Sequence, residues 1–263
     1  MTDEDTQPKS GAGTTLASTL PLADAIHNAE RDDWVRAAAD PALTGDLALA
    51  LLKRADLTGE VLEQLAKNRS ALKLRKVKIA LACHAHTPRH VSVPLIRQFY
   101  TFDLMKVALS PVVPADVKLT ADETLTSRLK TITLGERSTL ARQGSGRIAG
   151  ALLLDAEQRI MRAALGNSRL TESLVMQAVL NPSASVALIQ CVSRHAKWSH
   201  RRDVQIALLR TEHLSLARAL AFASGLAPSQ LREILHTSRL SARIKEQLVR
   251  ESQKTPSEET SSP

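Results

Sequence analysis

Cys83, His84, His86 and His90 form the densest cluster of metal-ligating side chains in the sequence. Zinc takes these ligand types, and a zinc site needs three or four of them at bonding distance. The cluster, however, follows an apolar helical segment and surrounds Thr87-Pro88, a pair typical of a helix start. Histidines at a helix C-terminus are stabilised by the helix dipole without any metal. We therefore predict a turn between two helices here, and no metal site.

A cysteine and a histidine four residues apart, Cys191 and His195, form a second pair with chemical potential. Side chains at this spacing share one face of a helix, as a cysteine nucleophile and its base would require. Such a pair also needs a third group to orient the histidine, and the local sequence offers none. Free cysteines are usually buried, so we predict that Cys191 is a core residue. The apolar neighbours that favour this interpretation are Val186, Leu188, Ile189 and Val192.

Two further patterns resemble catalytic or ligand-binding motifs only in part. The glycine-containing stretch at residues 142–147 lacks both the dinucleotide fingerprint and the P-loop word, and no strand precedes it. It is typical of a turn between helices, with Gly144 after the helix end. The adjacent acids Asp122 and Glu123 do not face each other on a helix, so they cannot act as a carboxylate pair. We therefore expect no catalytic residue, no cofactor and no enzymatic activity.

The strongest basic cluster spans residues 194–202. Arginine, lysine and the N-terminus of a following helix all bind phosphate, and Ser199 is placed to cap that helix. Trp198 either stacks on a base or fills the edge of the core, where most tryptophans lie. A second basic run lies at residues 73–78. The residues that we predict to contact an anionic partner are Lys73, Arg75, Lys76, Lys78, Arg194, Lys197, Trp198, Arg201 and Arg202.

The charge of the chain is distributed unevenly. The 263 residues carry a formal net charge of +8, but residues 1–34 carry −5 and residues 251–263 carry −2, which leaves +15 on the body. A basic body attracts anionic surfaces such as nucleic acid or an acidic protein. A long helical surface also needs charged residues for solubility alone, so both interpretations stay open.

The composition predicts an all-α protein. Leu and Ala supply 77 of the 263 residues, whereas six residues are aromatic, and this balance argues against a β-sandwich or barrel. Two cysteines exclude a disulfide scaffold. The polar ends predict a disordered acidic tail at 1–20 and a second disordered tail at 252–263, on either side of a helical-repeat domain at 21–251.

The sequence also bears on where the protein resides. No apolar run approaches the roughly 18 residues of a membrane span, and the acidic, polar start is unlike a secretory signal peptide. We therefore expect a cytoplasmic location, in which the two cysteines stay reduced.

An internal pattern of the form apolar–polar–apolar–Ala–Leu occurs four times, with one further degenerate copy. Its alanines are separated by 42, 28, 56 and 43 residues. Spacings near 42 match the period of two-helix HEAT-type repeats, and we expect the array to be irregular where the spacing departs from that value. A small alanine lets two helices approach closely while its apolar neighbours face the next helix pair. The five alanines are Ala38, Ala80, Ala108, Ala164 and Ala207.

The segments Arg159–Thr171, Gln177–Pro182 and Arg201–Arg210 resemble the HEAT-like α-solenoids, and more closely the leucine-rich-repeat-variant type found in bacterial proteins. The resemblance implies stacked short helix pairs in an irregular right-handed superhelix, with about 12–16 helices if each has about 11 residues. One member of the variant type carries an iron–sulfur cluster on N-terminal cysteines, which this chain lacks. The resemblance implies no specific activity.

Stacked repeats present an extended surface, so we predict a non-enzymatic binding module. A protein–protein scaffold is the first interpretation, and a nucleic-acid-binding solenoid that uses its basic surface is the alternative. We expect no membrane partner and no small-molecule substrate. Some DNA glycosylases share the HEAT-like architecture, but we find no combination of catalytic acid and aromatic cradle in this sequence.

Overall fold

Helices account for all the regular secondary structure in the part of the chain that the computed structural model describes, residues 30–254. There are 17 α-helices in this range and no strand, which confirms the predicted all-α class. The number exceeds the expected 12–16 because most helices are shorter than 11 residues. They are α1 (Arg31–Ala39), α2 (Gly45–Leu52), α3 (Gly59–Lys67), α4 (Arg69–Leu72), α5 (Arg75–Cys83), α6 (Arg89–Ile96), α7 (Thr101–Leu109), α8 (Ala115–Arg128), α9 (Leu134–Gln143), α10 (Gly146–Leu152), α11 (Gln158–Leu165), α12 (Glu172–Val179), α13 (Val186–Arg194), α14 (Arg202–Leu209), α15 (Leu216–Ala223), α16 (Pro228–Thr237) and α17 (Ala242–Lys254).

The described residues divide into two compact units. The first contains the residues up to Leu81 together with His86–Pro88, and the second contains Ala82–Ala85 and the residues from Arg89 onward. The division falls within helix α5. The single helical-repeat domain at 21–251 stays a prediction.

The predicted tail at residues 1–20 lies outside the described residues, as does most of the predicted tail at 252–263. Helix α17 runs to Lys254 and so includes the first three residues of that second segment. None of the helices in the described range is long and apolar enough to cross a membrane.

Polar caps mark the starts of several helices. The hydroxyl of Thr133 accepts a hydrogen bond from the Glu136 amide, and the Glu136 carboxylate accepts one from the Thr133 amide, which together form a capping box at α9. Ser145 and Ser185 accept bonds from amides in the first turns of α10 and α13. The buried apolar residues that stand directly before a Ser or Thr in the turns are Leu43, Leu57, Leu170, Trp198, Leu214 and Leu240.

In the second unit, most helices pack against the helix two positions along the chain. One row consists of α6, α8, α10, α12, α14 and α16, and the other includes α9, α11 and α13 in succession, with α15 packed on α17. Helices of the first row begin 26–31 residues apart, so a helix pair occupies about 28 residues. Short connections make the two helices of a pair antiparallel neighbours.

In the first unit, helix α1 packs on α3 and α2 packs on α4. The contacts of this unit thus also join alternate helices. Its core includes Leu51, Leu62 and Leu65, which the structure buries completely. Asn68 links two turns, because its amide nitrogen donates to the carbonyl oxygens of Ala38 and Asp40 at 3.0 and 2.8 Å.

The pair length of about 28 residues corrects the period of about 42 expected from the repeated word. The word occurs in both rows of the second unit, since Ala164 lies in α11 whereas Ala207 lies in α14. Their separation of 43 therefore spans one pair and one additional helix, whereas the 56 residues between Ala108 and Ala164 span two pairs. The spacings of 28 and 56 residues between the alanines do not fit a period of 42 residues, but they are one and two times the pair length of 28 residues.

Candidate functional site

Buried side chains connect successive turns along one edge of the second unit. Asn167, in the turn between α11 and α12, donates to the carbonyl oxygens of Ala141 and Gly144 at 2.9 and 3.1 Å. The amide oxygen of Asn167 accepts a bond from the Arg169 backbone at 2.8 Å. One buried side chain therefore fixes its own turn and holds it against the preceding turn.

Gly146 allows these two turns to approach each other. A Cβ on Gly146 would collide with the carbonyl oxygen of Arg169, whereas a Cβ on Gly144 would collide with that of Leu140 in its own helix. Helix α9 ends at Gln143 and α10 begins at Gly146. The predicted turn is therefore confirmed; Gly144 ends the helix, and Gly146 serves close packing between turns.

Trp198 connects the third turn, between α13 and α14, to the second. The indole N–H donates to the Leu165 carbonyl oxygen at 2.9 Å, and the residue is only 2% exposed. The Lys197 ammonium lies 4.1 Å from the centre of the indole ring. Because the indole is buried and hydrogen-bonded, Trp198 fills the edge of the core and does not offer a ring face to a base, which corrects its predicted binding role.

The outward side chains of these three turns are basic. Residues 142–146, 166–171 and 194–202 contain no Asp or Glu. Their basic side chains are all exposed, and they come from three separate stretches of the chain that the hydrogen bonds of Asn167 and Trp198 bring together. We call this surface the basic edge, and it consists of Arg142, Arg169, Arg194, Lys197, His200, Arg201 and Arg202.

Two members of the basic edge make contacts that orient them. Arg169 donates to the Gln143 carbonyl oxygen at 3.4 Å, across the joint between the first two turns. Arg202 donates to the Gln230 side chain at 2.9 Å. Ser199, expected to cap α14, is buried instead, and the cap position belongs to Arg201. Arg201 is therefore the residue at which that helix begins, without a side-chain capping bond.

The turns at the other ends of these helices form a different surface, which we call the opposite edge: residues 153–157, 180–185 and 210–215. Within these three stretches the exposed acids are Glu157 and Glu212, and Arg210 is the one Arg or Lys. The side chain of Asp155 is buried and pairs with Arg137, and the following turn of this edge adds the exposed Arg239. Large apolar side chains are also exposed here or at the adjoining helix start, namely Leu154, Leu180 and Val186 at 39%, 40% and 47%.

A separate hydrogen-bond ladder holds the opposite edge. The Ser238 hydroxyl donates to the Leu209 carbonyl oxygen at 2.6 Å, and the Arg239 amide donates to the Arg210 carbonyl oxygen at 3.0 Å. Ser238 also accepts a bond from the Leu240 amide. Both edges are thus built from turns joined by hydrogen bonds, but they differ in what they expose.

The other predicted cations lie in the first unit. Lys73 follows α4, and its side chain is exposed. Arg75 and Lys76, at the start of α5, are also exposed, whereas Lys78 is half-buried. These four residues are neighbours in one short stretch of chain, so their proximity follows from the sequence alone.

The cysteine and histidine clusters do not show metal or nucleophile geometry. Among the residues that the structure describes, no group of three or more His, Cys, Asp or Glu side chains could hold a metal ion. Burial raises the pKa of the Cys83 thiol to about 11, so the thiol stays protonated at neutral pH. The His86 ring lies 2.9 Å from the Leu57 carbonyl oxygen through Nδ1.

Cys191 is half-buried, which corrects its predicted place in the core. The buried residues of α13 are its neighbours Leu188, Ile189 and Val192, so Cys191 lies at the margin of that face. Burial, together with the charge of Lys197, lowers the pKa of His195, and this imidazole is therefore neutral near pH 7.

A buried carboxyl lies beside the first turn of the basic edge. Asp122 in α8 accepts a hydrogen bond from the Ser145 hydroxyl at 2.7 Å. Burial raises the pKa of Asp122, while the Ser145 bond and the nearby Arg147 oppose this shift. Its neighbour Glu123 is exposed, so the two acids lie in different environments, as the sequence predicts.

Sequence analysis missed Arg169 and did not connect Arg142 with the cluster at residues 194–202. Part of the information was present in the second and third turns, each of which has a basic residue followed by a buried apolar residue and then a Ser or Thr. Alignment on Leu170-Thr171 and Trp198-Ser199 places Arg169 and Lys197 at equivalent positions. The apolar–polar–apolar–Ala–Leu pattern, in contrast, could not align these turns because it occurs in both rows.

Comparisons with known proteins find no match to this chain among family models, curated proteins or solved structures.

Proposed function

We propose that this chain is a non-enzymatic helical-repeat binding module whose second unit is an α-solenoid of the HEAT-like kind. The support is the packing of alternate helices in two rows, since each helix pair then buries its apolar face only against its neighbours. Such a stack presents its turns as extended edges, and extended surfaces of this kind bind macromolecules.

The partner that we propose is an anionic macromolecule on the basic edge. The observation that carries this proposal is that three separate turns are locked together and expose six Arg and Lys side chains without an acid among them. These cations come from distant parts of the chain and form one surface only when the chain folds. The cations at residues 73–78, in contrast, are neighbours in the sequence itself. Of the two partner classes left open by the sequence, this surface favours nucleic acid over a neutral protein scaffold.

Two variants of equal charge test this proposal. R142Q/R194Q removes two exposed cations from the basic edge, and R210Q/R243Q removes two exposed cations from elsewhere in the same unit. Binding of fluorescent polyphosphate, poly-glutamate and a DNA duplex is measured by anisotropy. We expect R142Q/R194Q to weaken polyanion binding about tenfold, and R210Q/R243Q to change it less than threefold. Equal effects of both variants, or no polyanion binding at low salt, would overturn the proposal.

A second candidate is the protein–protein scaffold, which the opposite edge favours. Leu154, Leu180 and Val186 are exposed on this edge, and Glu157 and Glu212 flank them along the chain. Interfaces are anchored by apolar side chains within a polar rim. The partner would therefore be a protein that presents an apolar patch bordered by basic residues.

The scaffold is tested by crosslinking in cells, followed by direct binding of any protein that is identified. L154S/L180S should abolish capture of a true partner and leave duplex binding unchanged, because the two edges are separate. A217S, at an exposed alanine of α15, is the matched control. A protein captured equally by both variants would not be a partner of this edge.

A further inference from the structure

We propose that the partner of the basic edge is double-stranded nucleic acid, held through its phosphates without recognition of its bases. The inference rests on the proposed binding module and specifies its ligand. It depends on three features of the edge: the type of its cations, the side chains that it does not expose, and the spacing of its turns.

Arginine dominates the basic edge, in the proportion of five Arg to one Lys. The planar guanidinium binds phosphate oxygens in a bidentate manner and is more weakly hydrated than an ammonium group, which suits it to phosphate more than lysine. Arg201 occupies the N-cap position of α14 without a side-chain capping bond, and the Arg202 side chain donates to Gln230, so two arginines lie at the start of a helix whose first turn also contains Asp203. This arrangement concentrates phosphate-binding groups at the third turn.

The basic edge exposes no large apolar or aromatic side chain within residues 142–146, 166–171 and 194–202. The edge therefore offers a protein partner none of the apolar anchors on which interfaces depend. It also offers an anionic membrane no residue that could insert into lipid. Trp198, the one aromatic residue of these three stretches, is buried and hydrogen-bonded. Single-stranded nucleic acid, which gains much of its affinity from bases stacked on aromatic rings, therefore has no platform here.

The spacing of the turns sets how many phosphates the basic edge can reach. Stacked helices lie about 8–10 Å apart, so three successive turns span about 20 Å. Over that length a duplex presents about 12 phosphate charges, and one strand of it presents about half that number. The six cations of the edge are therefore enough to contact about six phosphates, and the hydrogen bonds of Asn167 and Trp198 hold the turns that carry them side by side.

Because the basic edge consists of turns, we expect its arginines to contact phosphates rather than base edges, and we therefore expect binding without sequence preference. Base recognition in a groove needs a helix or strand that projects side chains into it. The basic edge is a row of turns, and no helix or strand of this edge carries its arginines into a groove. The phosphate contacts should therefore position the duplex but not distinguish its sequence.

The test is a salt titration of the full chain with labelled ligands. These are two duplexes of about 20 bp with unrelated sequences, a single strand of the same length, poly-glutamate, and phosphatidylserine-containing vesicles. We expect both duplexes to bind within about twofold of each other and at least threefold tighter than the single strand. The logarithm of the association constant should fall with the logarithm of salt concentration with a slope of about −5, given six phosphate contacts.

The variant R142Q/R194Q should reduce the magnitude of this slope by about 2, because each phosphate contact contributes about 0.9. R210Q/R243Q should leave the slope unchanged. Tighter binding of the single strand, of poly-glutamate or of vesicles would overturn the duplex inference while leaving an anionic partner in place. If no polyanion binds at low salt, the proposed function itself fails, so the two failures are distinguishable.

Discussion

The basic edge and the opposite edge of the second unit are made from the two ends of the same helices, yet they expose different chemistry. On the basic edge, Asn167 and Trp198 satisfy buried carbonyl groups while the cations point outward. On the opposite edge, Ser238 performs the joining role, and acids with apolar side chains face solvent. Apart from Arg169, whose guanidinium also bonds across the first joint, the groups that hold each edge together are thus different residues from those that it exposes. Stability and binding can therefore be altered separately.

The largest effect is expected from a methyl group placed in the joint of the basic edge. Gly146→Ala puts a Cβ against the Arg169 carbonyl oxygen, and backbone on both sides leaves no flexible group to move. We expect a loss of about 3 kcal/mol in the free energy of unfolding, measured by urea denaturation. Gly135→Ala is the control, because nothing lies within 4 Å of its Cβ. That variant should gain about 0.5 kcal/mol, and a similar loss in both would contradict the account.

The next effect tests the buried amide that joins the first two turns. Asn167→Ala removes two hydrogen bonds to carbonyl oxygens and leaves both buried, at an expected cost of about 2–3 kcal/mol. Asn181→Ala, in a turn of the opposite edge, removes only the local bond to the Ser183 amide and should cost about 0.5–1 kcal/mol. Equal urea midpoints for the two variants would show that Asn167 does not join the turns.

A smaller effect separates the structural role of Trp198 from a binding role. Trp198→Phe removes the N–H that donates to the Leu165 carbonyl oxygen, so the protein should lose about 1–2 kcal/mol of stability. Duplex affinity should remain within twofold of the wild type, because the buried ring contacts no base. A tenfold loss of affinity at a temperature where the variant is folded would assign Trp198 to the binding surface.

The smallest effect concerns the buried carboxyl beside the basic edge. Since the pKa of Asp122 is raised in the folded protein, its ionised form is disfavoured there. Asp122→Asn keeps an acceptor for the Ser145 hydroxyl and carries no charge. The variant should therefore be slightly more stable than the wild type at pH 7. As the pH falls through the raised pKa, the wild type becomes protonated and the difference should disappear; a difference that grows in acid would contradict the assignment.

The sequence predicts the helical class and several turns, but not the grouping of the turns. Composition and caps locate the helices, because propensity and capping are local properties. The period of about 42 residues predicted from the sequence is wrong, because the repeated Ala-Leu word occurs in helices of both rows. The distance from Ala164 to Ala207 therefore covers one and a half helix pairs instead of one. The grouping of Arg142, Arg169 and Arg194 on one edge depends on hydrogen bonds between residues 23–33 positions apart, which only the fold supplies.

The role of Trp198 likewise depends on a contact with a distant residue, which the local sequence does not reveal. Its basic neighbours favoured a role in binding, and its residue type favoured burial. The choice between them depends on whether a carbonyl group lies within reach of the indole N–H, and that acceptor belongs to Leu165, 33 residues earlier in the chain.

Hydrogen exchange of the backbone amides, with and without a saturating DNA duplex, compares the two edges directly within one experiment. The account predicts slower exchange at residues 142–146, 166–171 and 194–202, and unchanged exchange at residues 153–157, 180–185 and 210–215. Slower exchange on the opposite edge without any change on the basic edge would contradict the claim that the basic edge is the binding surface.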